Sequence, residues 1–196
     1  MYHAPVTVFC HMATIDDRTR GRLLKVARCE IEARLFGTRP AKDDEPWPPL
    51  ERRGVFVTLR KAGQLRGCIG TFVSEDELPT TVRKMAVSAA ADPRFVDLPI
   101  SAAEMKNIRI EISVLSPLVR IEDPLWLELG RHGIYLRQGL QSGCFLPSVA
   151  TDNGWDKETF LTQCCGQKAG LDPLAWRDPK TEVFVFTVEK LCDEEQ

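Results

Sequence analysis

Short turns between alternating segments restrict this chain to antiparallel strand pairing. Val55, Val57 and Leu59 alternate with Phe56, Thr58 and Arg60, and Lys61-Ala62-Gly63-Gln64 then reads as a hairpin turn into a second strand. Ile134 to Arg137 and Cys144 to Leu146 form another such pair, closed by a Gly139 to Gly143 loop. The clearest half-buried strand sets Ile108, Ile110, Ile112 and Val114 on one face and Arg109, Glu111 and Ser113 on the other. Parallel strands need long helical crossovers, so this pattern excludes the doubly wound sheet of nucleotide-binding folds.

Helices fill the intervals. Asp16 or Asp17 can cap a helix in which Leu23, Leu24, Ala27, Ile31 and Leu35 recur at three- and four-residue spacing until Gly37 stops it. Residues 38–50 hold four prolines and read as an irregular surface loop around Trp47. Pro79 opens an alanine-rich helix with Val82, Met85, Ala86, Ala89 and Ala90 on one side, ended by Asp92-Pro93. Pro147 suggests a strand edge or bulge. Trp155 and Asp156 start a helix through Phe160, Leu161 and Cys164 that ends at Gly170. A final strand is expected from Glu182 to Leu191. The predicted class is α+β, an antiparallel sheet built from hairpins with packed helices. The expected organisation is a poorly determined segment 1–14, a single domain 15–191 and an acidic tail 192–196.

A formal net charge of −2 gives no global basic field to draw the chain onto phosphate backbones or anionic membranes. Arg52, Arg53, Arg60, Lys61 and Arg66 form a local basic run, but only Phe56 is interleaved for base stacking, so nucleic-acid binding ranks last. The seven cysteines, at 10, 29, 68, 144, 164, 165 and 192, are odd in number and include no CxxC pair. They read as free thiols of a reducing, cytoplasmic compartment. The apolar run Val6 to Cys10 is too short to cross a bilayer. Three scattered histidines offer no metal-ligand spacing, and no cofactor-binding loop is evident.

Chemistry concentrates in Leu65-Arg66-Gly67-Cys68-Ile69-Gly70. Two glycines around a lone cysteine make a weak strand by propensity, and they let a ligand or another backbone come close. In an unbroken strand Arg66 and Cys68 share a face, placing a cation beside a thiol. Cys68 reads either as an activated nucleophile or as a small buried hydrophobe. Candidate bases are His132, Glu111 and His11. Arg66 can hold a carboxylate or phosphate, or pair with Glu111, and Ser113 and Arg109 would join the same polar face. Arg94 caps the preceding helix or projects into a cleft. His132 reads as a turn histidine ahead of a catalytic one.

Leu65 to Gly70, continued by Thr71-Phe72, resembles the LRGCIG signature of the AMMECR domain family. Further blocks match in order: Ala89 to Phe95, Ile110 to Leu115, His132 to Ile134, Leu146 to Ala150 with Gly154-Trp155-Asp156, and Lys168 to Leu171. The resemblance covers roughly residues 15–191. It implies an intertwined α+β fold of a larger and a smaller lobe. It also implies that prokaryotic members accompany Memo-type proteins, which are related to extradiol dioxygenases, and radical SAM proteins. The resemblance implies no reaction. Two functions are therefore expected: an accessory module binding a ligand or partner at the Arg66/Cys68 strand face, with Gly67, Gly70, Arg94 and Ser113 contributing, or an enzyme using Cys68 as nucleophile or covalent carrier with Glu111 and His132.

Overall fold

The computed structural model describes residues 14–193. Two four-stranded antiparallel sheets organise it, and each buries one face beneath helices. The candidate base His11 lies outside the described residues.

The first lobe begins with α1 (Asp17–Phe36). The Asp16 carboxylate accepts from the Thr19 N–H at 3.0 Å, and Gly37, at φ 64°, closes the other end in the left-handed conformation glycine tolerates best. Strands β1 (Val55–Lys61) and β2 (Gln64–Thr71) follow as the expected hairpin, turning through Ala62 and Gly63, both at positive φ. Then come α2 (Leu78–Ala90) and β3 (Ile108–Leu115). Val55, Val57, Leu59, Ile110, Ile112 and Val114 meet Leu23, Ala27 and Ile31 of α1 and Val82, Ala86 and Ala89 of α2 in one fully buried core. Burying a large aliphatic side chain is worth about 1.5–3 kcal/mol, so this strip holds the lobe together.

The second lobe holds β4 (Val119–Ile121), β5 (Gly133–Gln138), β6 (Gln141–Phe145), α3 (Pro147–Asn153), α4 (Lys157–Gln163) and β7 (Glu182–Phe186). Its core gathers Ile134, Leu136, Phe145, Phe160, Leu161, Trp176 and Val185. Pro147 marks neither a strand edge nor a bulge. It occupies the first turn of α3, where its missing N–H costs nothing. Asp156 caps α4 as expected, and a π-helical turn, Cys164–Ala169, carries that helix on to Gly170.

The expected last strand is two strands in different sheets. Phe186 ends β7 in the second sheet, and β8 (Val188–Cys192) returns to pair with β3 in the first. The sheet orders are β2-β1-β3-β8 and β4-β7-β5-β6, so the chain leaves the first lobe after β3 and re-enters it with β8. The two crossings are hydrogen-bonded to each other. Ser116 N–H donates to the Thr187 carbonyl and Thr187 N–H to Ser116 Oγ, both at 2.9 Å. Phe72, just past β2, packs on Phe56 of the first lobe and on Tyr135 and Phe186 of the second. Cys192 ends β8, and the Asp193 carboxylate accepts from Arg28 and from the Ile110 N–H, so these two residues belong to the first lobe rather than to the tail.

Candidate functional site

Strand β2 is an edge strand, and it is bulged at Arg66. The pairing steps from Leu59 opposite Gly67 to Arg60 opposite Leu65, leaving Arg66 as the extra residue. The alternation that put Arg66 and Cys68 on one face is therefore broken between them. Arg66 turns to the helical side and is 6% exposed. Its guanidinium donates to Glu104 at 3.1 Å and to the carbonyls of Leu98 and Pro99 at 3.2 Å each. Arg66, and after it Lys61, hold the Glu104 carboxyl well below the usual carboxylate range. Arg66 does not pair with Glu111.

Cys68 lies on the opposite, polar face in a row that crosses all four strands. In register it faces Thr58, Thr58 faces Glu111, and Glu111 faces Cys192. Thr58 Oγ1 donates to the Cys68 sulfur at 3.3 Å. Glu111 pairs with Lys190 at 3.3 Å and accepts a long contact, 3.9 Å, from the Cys192 thiol. Burial, reinforced by the Glu111 charge, raises the Cys192 thiol pKa. Because β1 lies between β2 and β3, two strand spacings, about 10 Å, separate Cys68 from Glu111.

The cation at the Cys68 backbone is Arg94, which neither caps α2 nor projects free. As an edge residue Cys68 turns its N–H and C=O outward. The Asp92 carboxylate accepts from the N–H at 2.9 Å and the Arg94 guanidinium donates to the C=O at 2.7 Å. Asp92 also accepts from the Arg94 N–H, Nε and Nη2. The Asp92-Pro93-Arg94 segment thus stands in for a neighbouring strand and blunts the edge at that residue. The hydrogen bonds from Arg94 are the largest influence holding the Asp92 carboxyl down at about 2, against the usual 3.8. Its contribution is complete above about pH 4 and is lost as pH falls through about 2. With Arg94 exposed and screened, Asp92→Asn is expected to cost about 1–2 kcal/mol at neutral pH and to flatten this acid limb, measured by urea unfolding between neutral pH and about pH 2.

The glycines serve packing. A Cβ at Gly67 would lie 2.1 Å from the Ala89 carbonyl oxygen of α2, and one at Gly70 would lie 2.3 Å from the Phe56 ring. The close approach expected of them is made by the protein itself, by backbone at Gly67 and by an aromatic ring at Gly70. Ser113 shares the polar face but is 1% exposed. His132 sits in the other lobe. Its Nδ1 accepts from the Glu128 N–H at 3.0 Å, its ring stacks on Trp126, and burial lowers its pKa. Sequence reasoning missed Asp92, Glu104 and Thr58. An Asx turn over Asp-Pro-Arg was a legible signal for Asp92, whereas only register exposes Thr58.

Beside Arg66 a cavity of about 280 Å³ opens to the surface, walled by Ala90, Phe95, Val96, Leu98 and Pro99. Val96 and Leu98 are 72% and 56% exposed. Among the described residues no three His, Cys, Asp or Glu side chains are grouped to hold a metal ion, and no helix is long and apolar enough to cross a membrane. Cys29, Cys68, Cys144, Cys164, Cys165 and Cys192 are free thiols, and burial pushes Cys144 up to about 11.

Two sheets joined by paired crossings, with a bulged LRGCIG edge strand pinned by Asp92 and Arg94, define a two-lobed α+β domain. The AMMECR1 family matches residues 24–191, and the chain belongs to that family. It is similar to a protein of Methanothermobacter thermautotrophicus, 41% identical over 88% of this chain and 94% of the relative. Protein PF1979 of Pyrococcus furiosus is 39% identical over 91% of this chain and 90% of its own. The crystal structure of uncharacterized protein PH0010 from Pyrococcus horikoshii superposes with a TM-score of 0.79 at 38% identity, covering 90% of this chain and 92% of that one.

Proposed function

We propose that this protein is an accessory module that binds a partner protein or small ligand on the polar face of its first sheet, around Cys68, Thr58 and Glu111. The partners implied by the family resemblance are Memo-type and radical SAM proteins, acting in a cytoplasmic setting. The observation that carries this reading is the spacing of the Cys68 row. A general base must approach its nucleophile to hydrogen-bonding distance, roughly 3 Å, directly or through one water. Thr58 occupies the position next to the thiol, and Glu111 is a further strand away and engaged by Lys190. His132 is spent on a turn in the other lobe.

The test is direct binding of purified Memo-type and radical SAM proteins from the same organism, read by biolayer interferometry. Saturable binding is expected, retained by Cys68→Ala and lost in Cys68→Tyr, where bulk covers the face. The alternative, Cys68 as nucleophile or covalent carrier, is favoured instead if Cys68 acquires a substrate-derived adduct that Cys68→Ala abolishes. Failure of both partners to bind would overturn the accessory reading.

A further inference from the structure

We propose that the cavity beside Arg66 binds a small neutral aromatic molecule carrying one carbonyl acceptor, of the aryl ketone or aryl amide class. The cavity opens to the surface on the helical side of the first sheet, between the end of α2 and the segment 95–100. Its volume of about 280 Å³ exceeds the roughly 150 Å³ that holds benzene in an apolar protein cavity, so one substituted ring fits. Ala90, Phe95, Val96, Leu98 and Pro99 give it an apolar wall. Small-molecule sites combine such walls with a few placed polar groups, and here the placed group is Arg66.

The state of the Arg66 side chain points to this occupant. It is buried, and its Nε has no hydrogen-bond partner. The rest of the guanidinium is engaged by the Glu104 carboxylate and by the Leu98 and Pro99 carbonyls. Those bonds run in the guanidinium plane, so the group keeps its flat face and its Nε–H for a ligand. An aromatic ring meets the face by cation–π attraction. A carbonyl oxygen meets the Nε–H and removes the penalty of a buried donor left without an acceptor. Charged ligands gain less. Arg66 is already paired with Glu104, and Asp92, which also lines the cavity, is paired with Arg94. An ion of either sign would bring unmatched charge to pairs that are complete, so a neutral molecule loses least on leaving water. Because Arg66 faces away from the Cys68 row, the site does not depend on the reading of that face.

Titration of the full chain, isotope-labelled at its methyl groups, with acetophenone tests the site by NMR. Saturable shifts of the Ala90, Val96 and Leu98 methyls are expected, with a Kd of about 1 mM. Ethylbenzene, which keeps the ring and lacks the acceptor, should bind about tenfold more weakly. Methyl cyclohexyl ketone, which keeps the acceptor and lacks the aromatic ring, should bind several-fold more weakly. Arg66→Met should erase both preferences. Ala91→Trp, at an exposed position of the lining, should abolish binding of all three, and it tests the site even if Arg66→Met fails to fold. No saturable shift up to about 10 mM acetophenone, or shifts that persist in Ala91→Trp, overturns the site. Equal affinity for the three probes in the unaltered protein, or preferences that survive Arg66→Met, overturns the assigned ligand chemistry.

Discussion

Gly67→Ala is expected to destabilise the protein by about 3 kcal/mol or more, with a fall in Tm of about 10 °C for a chain of this size. The added methyl would sit 2.1 Å from the Ala89 carbonyl oxygen and 3.1 Å from its carbon. Neither atom belongs to a flexible side chain. They are backbone at the end of α2, where the Ala91 cap N–H also bonds to Ala89 O. Relief therefore requires α2 to separate from β2 by more than 1 Å, opening space next to Val82, Ala86 and Ala89, all fully buried. Gly21→Ala supplies the contrast. Gly21 lies inside α1 with nothing within 4 Å of the added methyl, so this change is expected to stabilise by about 0.5–1 kcal/mol. Urea unfolding of both variants checks the pair. Equal effects of one sign would refute the close-approach explanation of Gly67.

Arg66→Ala is expected to cost about 3–5 kcal/mol, again read by urea unfolding. The side chain is 5% exposed, and its removal leaves a void and strips donors from the Leu98 and Pro99 carbonyls. Arg66→Met is expected to cost about half as much. Methionine refills the volume, and the substitution also removes Nε, which is buried without an acceptor. Glu104 keeps Lys61 and the Ser101 backbone and hydroxyl in either variant. Because Arg66 faces away from the Cys68 row, the methionine variant should bind partners normally. Normal stability with lost partner binding would put Arg66 back into the site.

Much of the architecture was legible because local chemistry agreed with the fold. Asp16 and Gly37 bound α1, Ala62-Gly63 turns the first hairpin, and Asp156 and Gly170 bracket α4 with its π-helical turn, each by a cap or turn preference that acts within a few residues. Three features were not legible, and two of them depend on which strand lies next to which. The break at Thr187 looked like continuous strand because Val183, Val185 and Leu191 are buried in two different cores. Pro147 read as a strand edge or bulge because β6 stops only one residue before the α3 N-cap, Leu146. The candidate site shifted most. Period-two alternation placed Arg66 beside Cys68, and one bulge reversed it.

The sequence by itself determined an α+β chain of antiparallel hairpins and its membership of the AMMECR family, since turn residues, caps and a six-residue signature are properties of neighbouring positions. Tertiary structure alone decided what surrounds the thiol. Arg66 went to Glu104, Asp92 and Arg94 took the Cys68 backbone, and Thr58 took its sulfur. Those partners come from residues 10 to 38 positions away in the chain or from across a bulge. Strand register and edge exposure, which set such contacts, are fixed by how the strands and helices of the first lobe pack together and are not encoded in any local window.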